Sequence, residues 1–358
     1  MRFPYDTSYR DAQRLIRYRA DWLVYGALLL LLLAAPWILP RYYVGEVTFI
    51  FIMCIASLGL MVLTGFTGQI SFGHAAFLAI GAYAHVWFIS HDVPFLISIL
   101  AASALSGAVG LVIGLPAIRV SGLHLAMVTL AFSIILEQVV GRWKFVTGGY
   151  TGVAVPSPSI FGYDLGGLRP LYFLCLAILL IVFVALVNLT RGSIGRALVG
   201  VRDSEAAAHA LGIWVGGYKV LAFVISASVT GIAGALMAHH VQHVTPEGFS
   251  LLISLELVMM VVIGGLGSLR GAILGAIFIS LLPTFISKIK PLLPAAVSGQ
   301  FGLEIFVFGL VLALFILFEP MGLNGRWLKL KALFQSFPLY RRDTFRRGKS
   351  YMRSERYR

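Results

Sequence analysis

Charged side chains and cysteines are both scarce in this chain of 358 residues. Only 12% of the residues are charged, whereas a soluble domain usually contains about 25%. The two cysteines, Cys54 and Cys175, each lie within an apolar run. Two thiols cannot form a disulfide framework, and their positions do not match the spacing of metal ligands. These shortages exclude a disordered chain, a fibrous protein and an ordinary soluble enzyme.

Long soluble stretches are also lacking. The two main polar stretches between apolar runs cover residues 141–169 and 190–217, and neither is long enough to bury a core of its own. We therefore expect no separate catalytic, nucleotide-binding or solute-capture domain. We expect such a chain to act within the membrane or through partner proteins.

Apolar residues, by contrast, make up 59% of the chain. A spanning helix needs about 20 mostly apolar residues, and the apolar runs suffice for about ten. The predicted fold class is all-α: a polytopic transmembrane helical bundle of about ten spans, some broken at Gly-rich segments. The predicted spans are residues 22–39, 44–63, 70–89, 94–115, 122–140, 170–189, 218–238, 250–264, 270–287 and 301–318.

The basic residues predict the orientation of these spans. On the side that holds both termini lie 22 of the 28 Lys and Arg residues, and cytoplasmic loops carry such an excess. We therefore expect a cytoplasmic N-terminal segment (1–21), a transmembrane domain (22–320) and a basic cytoplasmic tail (321–358). The stretch 190–217 would face the cytoplasm, and 141–169 would lie outside.

The net charge of +13 follows from the same bias and requires no nucleic acid as a partner. Aromatic residues interleave the basic ones in the tail after residue 326. This pattern favours a juxtamembrane segment lying near the anionic headgroups of the lipid bilayer.

One predicted span begins with polar residues among glycines. Gln69, Ser71 and His74 lie beside Gly73 in an otherwise apolar region. Backbone that breaks its helix within a membrane must be buried in protein or line a watery cavity. The segment therefore predicts a discontinuous element beside a translocation path, tight helix packing with polar groups that join helices, or both together. The sequence favours neither alternative.

A second Gly-rich break contains Gly264, Gly265 and Gly267. Paired glycine-interrupted segments in the two halves of a membrane protein indicate a central pathway. Glu256 lies about one turn inside the preceding span, where a carboxylate needs a partner or a polar cavity unless it reaches the interface. These four residues are further candidates for the path.

The stretch 190–217 contains one helix with a signal at each end. Asp203 is a candidate N-cap, Glu205 favours the positive helix N-terminus, and Ala206 and Ala207 have high helix propensity. Gly212 provides a left-handed stop. A simple connector has no need of two caps, so we favour a helix that docks a partner, with Arg202 at its start.

Three histidines, His239, His240 and His243, follow one another near the end of a span. Two of them share a helix face at i and i+4, but no third type of metal ligand is nearby. We therefore predict polar residues at the membrane interface rather than a metal site.

Several motifs together resemble one family, in order along about three-fifths of the chain. They are Gly65–Phe77, Thr147–Gly149, Val201–Gly212, Tyr218–Ala227 and Val262–Ser268. These blocks resemble the LivM-type permease subunit of bacterial branched-chain amino acid ABC importers. The resemblance implies an inner-membrane subunit with no cofactor of its own.

The same resemblance implies partners. A second, homologous permease subunit would pair with this chain, and two cytosolic ATPase subunits, which bind ATP and Mg, would dock on the helix 203–212. A periplasmic solute-binding protein would deliver Leu, Ile, Val or a related solute.

Other functions remain open at this point. A urea or short-amide ABC permease would have the same plan. A stand-alone secondary transporter needs intramembrane charges, and Glu256 is the one candidate. An intramembrane enzyme is disfavoured because the sequence has no paired carboxylates, no His-Glu metal motif and no nucleophile with a base.

Overall fold

The computed structural model of the chain describes residues 19–157, 159–160, 163–164, 166–289, 303–318 and 322–336. Nearly all of the predicted N-terminal segment and the basic tail from residue 337 lie outside the described residues. The helices of the first half are α1 (Arg19–Ile38), α2 (Arg41–Leu60), α3 (His74–Ser90), α4 (Phe95–Gly114), α5 (Leu123–Arg142) and the single turn α6 (Lys144–Thr147).

The helices of the second half are α7 (Leu168–Arg191), α8 (Ser193–Asp203), α9 (Glu205–Ala210), α10 (Val215–Val241), α11 (Leu251–Gly264), α12 (Leu269–Ile289), α13 (Leu303–Phe318) and α14 (Gly322–Ser336). Short 3₁₀ turns occur at Pro116–Ile118, Gly149–Thr151 and Pro246–Phe249. The predicted all-α polytopic fold is confirmed.

Each predicted span coincides with a helix. Seven helical stretches of the described residues are long and apolar enough to cross a membrane, and α3 and residues 23–38 of α1 are shorter apolar helices. Helix α13 covers the tenth predicted span with 16 residues. The number of spans and the sides of the termini stay predictions.

The core surrounds α2 and the segment that follows it, because every residue from Ile50 to Thr67 is buried. Helix α10 packs across α2, α3 and α4 through small residues. A Cβ on Gly59 would lie 2.9 Å from the carbonyl oxygen of Ser226, and a Cβ on Gly81 would strike the backbone of Gly231. Such close backbone contact is how helices associate where lipid removes the hydrophobic drive.

Four two-residue strands lie on the side that is predicted to be periplasmic. Strand β1 (Val153–Ala154) pairs antiparallel with β4 (His243–Val244), with Val153 opposite Val244. Strand β2 (Ser159–Ile160) pairs with β3 (Tyr163–Asp164). The β1–β4 pair joins the long loop after α5 to the connection after α10.

Candidate transport site and docking helix

The first Gly-rich segment breaks the helix as predicted. Helix α2 continues into a π-helix, Met61–Phe66, and α3 begins only at His74 after Gly73. Inside this break the Thr64 hydroxyl donates to the carbonyl oxygen of Gln69 at 3.1 Å, and the Gln69 N–H donates to Leu63 O at 3.2 Å. Backbone groups freed by the break are therefore satisfied within the protein, as an apolar surrounding requires.

Ser71 and His74 connect helices. The Ser71 hydroxyl lies 3.3 Å from His74 Nδ1, and His74 Nε2 lies 2.7 Å from the hydroxyl of Ser226 in α10. Both residues are fully buried. The first turn of α3 is also tied to α11, because the Ala75 N–H donates to the Ser254 hydroxyl at 2.9 Å. Ser71 and His74 therefore take part in packing between helices, and a role of theirs in a translocation path stays a prediction.

Gln69 differs from its neighbours. Its side chain is buried, and neither Oε1 nor Nε2 has a hydrogen-bond partner among the described residues. Most buried polar side-chain atoms are paired, and an unpaired amide in an apolar surrounding costs about 1–3 kcal/mol. Among the predicted path residues, Gln69 is therefore the one that retains unused hydrogen-bonding capacity in a buried position.

The second Gly-rich break is a tight turn between α11 and α12. Gly265 and Gly267 have φ of +110° and +80°, values that favour glycine. The two helices then pack closely, because a Cβ on Gly271 would lie 2.6 Å from Gly264 O. Glu256 is half-buried in the middle of α11. Close packing therefore explains the glycine at position 264. The half-buried position of Glu256 does not by itself indicate a polar cavity.

The two breaks meet at one arginine. A Cβ on Gly65 would lie 2.8 Å from the backbone nitrogen of Gly267, so the two segments touch. The Arg202 Nη1 donates to Gly65 O at 3.0 Å. Sequence reasoning missed this contact, since Arg202 was predicted only as the start of the docking helix and no local pattern links it to a residue in another span.

The structure corrects the prediction for the cap of the docking helix. Asp203 is the last residue of α8, and its carboxylate accepts from Arg202 Nε and Nη2 at 3.0 and 2.9 Å. The N-cap of α9 is Ser204, whose hydroxyl accepts from the Ala207 N–H at 3.3 Å. The cap moves by one residue because Ser204 has the extended backbone that an N-cap requires, while Asp203 is still helical.

The end of α9 agrees with the prediction. Gly212 has φ of +79°, and its N–H donates to His209 O at 3.0 Å. Helix α9 exposes Ala206 and Ala207. Beyond it, Leu211 and Trp214 are 80% and 77% exposed. The segment therefore presents a short helix and two large apolar side chains on its surface.

Glu205 fixes α9 to α10. Its carboxylate lies 2.7 Å from Lys219 Nζ, with the Lys219 side chain 4% exposed and that of Glu205 52% exposed. A buried ammonium needs a charged partner. Lys219 was missed as a member of the site because charge pairing between elements leaves no local sequence signal.

His239 and His243 do not share a helix face, because α10 ends at Val241. His239 Nε2 lies 2.8 Å from His85 Nε2 of α3, and His243 Nε2 contacts Thr151 O at 2.9 Å. Within the part of the chain that the structure describes, no group of three His, Cys, Asp or Glu residues could hold a metal ion.

Comparison with known proteins gives the family. The model of the family described as "Branched-chain amino acid transport system / permease component" matches residues 42–318, which contain both breaks and α9. The chain belongs to this family. No match was found among solved structures.

Two relatives illustrate the similarity. The high-affinity branched-chain amino acid transport system permease protein LivM of Escherichia coli is 33% identical over 279 residues, 71% of this chain and 65% of that protein. The permease protein BraD of the corresponding system in Pseudomonas aeruginosa is 25% identical over 287 residues, 75% of this chain and 90% of that protein. The chain thus spans slightly less than two thirds of LivM.

Proposed function

We propose that this chain is the transmembrane permease subunit of an ATP-binding cassette importer, which moves Leu, Ile, Val or a related solute across the bacterial inner membrane. The observation that carries the proposal is the family match over residues 42–318. The names of the relatives describe permeases of branched-chain amino acid transport systems, which supports this solute class over urea or short amides.

The proposed assembly contains a second, homologous permease subunit, two cytosolic ATPase subunits that bind ATP and Mg, and a periplasmic solute-binding protein. The exposed surface of α9, with Leu211 and Trp214 beside it, supports docking of an ATPase on Arg202–Gly212. An ATPase docked on this segment would cover these two apolar side chains, which are 80% and 77% exposed in the chain by itself.

The proposed path runs beside the two breaks. Gln69 supports it most directly, because its buried amide has no partner among the described residues and a polar solute would satisfy it. Ser71, Gly73, His74, Gly264, Gly265 and Gly267 shape the surrounding backbone, and Glu256 lies in the neighbouring helix.

Reconstitution tests the proposal. The purified complex of this chain with its partner permease and ATPases is placed in liposomes with the binding protein, and uptake of labelled leucine is measured with ATP inside or outside. We expect uptake that requires ATP on the ATPase side and is competed by isoleucine and valine but not by urea. Accumulation against a gradient by this chain alone, with no nucleotide, would instead establish a stand-alone transporter.

A further inference from the structure

Arg202 lies at the junction of α8 and the docking helix, with a polar contact on each side of its guanidinium group. Nη1 donates to Gly65 O at 3.0 Å. On the other side, Nε and Nη2 donate to the Asp203 carboxylate at 3.0 and 2.9 Å. One side chain therefore joins the end of α8 to the π-helical end of α2.

Glycines from both breaks surround this side chain. A Cβ on Gly68 would lie 3.0 Å from Arg202 Cγ, and a Cβ on Gly267 would lie 2.9 Å from Arg202 Nη1. Both glycines have positive φ, so the backbone of each break is shaped in a way that leaves room for the arginine. The two breaks come from distant parts of the sequence, and Arg202 contacts both.

The chemistry of this position suits an arginine. The last carbonyls of a helix have no partner within the helix, and Gly65 O is such a group because the Gln69 N–H bonds to Leu63 O. A guanidinium has five donors in a fixed planar arrangement and can bond a carbonyl and a carboxylate at once. The ammonium group of a lysine has three donors on a single nitrogen, so it cannot make both contacts with the same geometry.

The mechanical consequence follows from the short connection to α9. Ser204 alone separates Asp203 from α9, and the ion pair of Glu205 with Lys219 fixes α9 to α10. A displacement of α9 therefore moves the end of α8 and pulls on the carbonyl of Gly65. Gln69 lies in the segment that this pull would shift.

We propose that Arg202 is a positioning residue that transmits movement of the docking helix α9 to both helix breaks. The inference rests on the proposed function, in which ATPase subunits move α9. It adds the specific connection, from Arg202 through Gly65 O to the segment that carries Gln69, by which that movement reaches the proposed path.

Transport coupling gives the first test. Arg202→Gln and Arg202→Lys are compared in the reconstituted complex with Arg196→Gln, a matched control on the exposed side of α8, and both ATP hydrolysis and leucine uptake are measured. We expect Arg202→Gln to move about fivefold or more less solute for each ATP hydrolysed than the parent, at the lower end of typical coupling between sites.

The conservative variant and the control complete this test. Arg202→Lys should recover part of the ratio of leucine moved to ATP hydrolysed, because its ammonium can still reach Gly65 O. Arg196→Gln should keep the ratio of the parent. A parent ratio in Arg202→Gln would overturn the proposal. So would a parallel loss of hydrolysis and uptake, which is the behaviour of a merely structural residue.

A distance measurement separates this inference from the proposed function. Spin labels are placed at Ile70→Cys and Leu211→Cys, which are 40% and 80% exposed, while the natural Cys54 and Cys175 are buried. In the full-length chain in lipid nanodiscs, the distance distribution between the labels should be narrow and should broaden on Arg202→Gln but not on Arg196→Gln.

The outcomes of the two tests are distinguishable. An unchanged distribution in Arg202→Gln overturns the connection, whatever the chain transports. If Arg202→Gln broadens the distribution while the parent complex shows no ATP-dependent uptake, the connection is supported and the proposed function is contradicted instead.

Discussion

Lys219 Nζ lies 2.7 Å from the carboxylate of Glu205, and this ion pair holds α9 against α10. The two side chains differ in environment, because that of Lys219 is almost fully buried and that of Glu205 is half exposed. Loss of Glu205 therefore has two consequences, an altered exposed surface on α9 and a buried ammonium without its partner.

Glu205→Arg should abolish ATP-coupled uptake while leaving membrane insertion intact. Two cations then face each other beside α10, and we expect the chain to lose roughly 1–3 kcal/mol of stability, less than the loss on breaking a fully buried pair. Uptake and thermal unfolding in detergent measure the two effects. The exchange Glu205→Arg with Lys219→Glu restores the pair and should restore uptake. If the exchanged variant has normal stability but takes up no leucine, the partner contacts the carboxylate of Glu205 itself.

Gly73→Leu should block transport. A Cβ at residue 73 would already lie 2.9 Å from Thr129 O of α5, so a larger side chain forces the start of α3 away from α5. Overpacking of this kind costs about 1–3 kcal/mol, which lowers the population of the native arrangement of α3 and α5 relative to the displaced one by roughly 5- to 150-fold. Gly26→Leu is the matched control, since a Cβ there meets nothing within 4 Å. Equal uptake by the two variants would contradict the expectation.

Gln69→Met should reduce uptake without reducing stability. The amide has no partner among the described residues, so its replacement by an apolar side chain of similar length removes a desolvation cost. Ser71→Ala makes the contrasting control, because Ser71 bonds to His74 and to the Gly73 N–H and its loss should lower thermal stability. If Gln69→Met transports leucine normally, the amide has no role in the path.

His239→Leu should destabilise the chain by about 1–3 kcal/mol, because it leaves a buried nitrogen of His85 unpaired. The Ser98 hydroxyl donates to Phe95 O and so accepts from His85 Nδ1, which leaves His85 Nε2 to accept from His239. The double variant His85→Leu with His239→Leu should recover part of the loss, and thermal unfolding measures both. The exposed His243→Leu should change stability little. A double variant less stable than His239→Leu would contradict this assignment.

Ser204→Ala should loosen α9, whereas Asp203→Ala should not. Loss of an N-cap costs about 0.5–2 kcal/mol, which corresponds to an increase of roughly two- to thirtyfold in local opening. Hydrogen exchange of the amides at 205–210 measures this opening. Faster exchange in Asp203→Ala than in Ser204→Ala would restore Asp203 as the cap.

The sequence predicted what depends on local composition. Apolar length alone located helices at all ten predicted spans, and the glycines and polar residues at 65–74 predicted the broken start of α3. Gly212 likewise ended its helix as expected, because a left-handed position favours glycine wherever it occurs.

Contacts between distant residues could not be predicted in this way. Arg202 and Gly65 are 137 residues apart, and His85 and His239 are 154 apart, so their pairing depends on which helices become neighbours. The prediction that Asp203 is the N-cap of α9 was wrong for a different reason. Asp203 and Ser204 are both good N-caps, and only the backbone decides which of the two leaves the helix first.

The pairing of Val153 with Val244 has a consequence for motion at the opposite end from α9. Strands β1 and β4 join the loop after α5 to the end of α10. Neither segment can therefore move away from the other while the strands stay paired. A solute-binding protein of the proposed assembly that docked on this side would contact a loop already joined to α10, the helix whose other end carries Lys219. Because α10 is one continuous helix, the β1–β4 pair and the Glu205–Lys219 ion pair hold opposite ends of the same element.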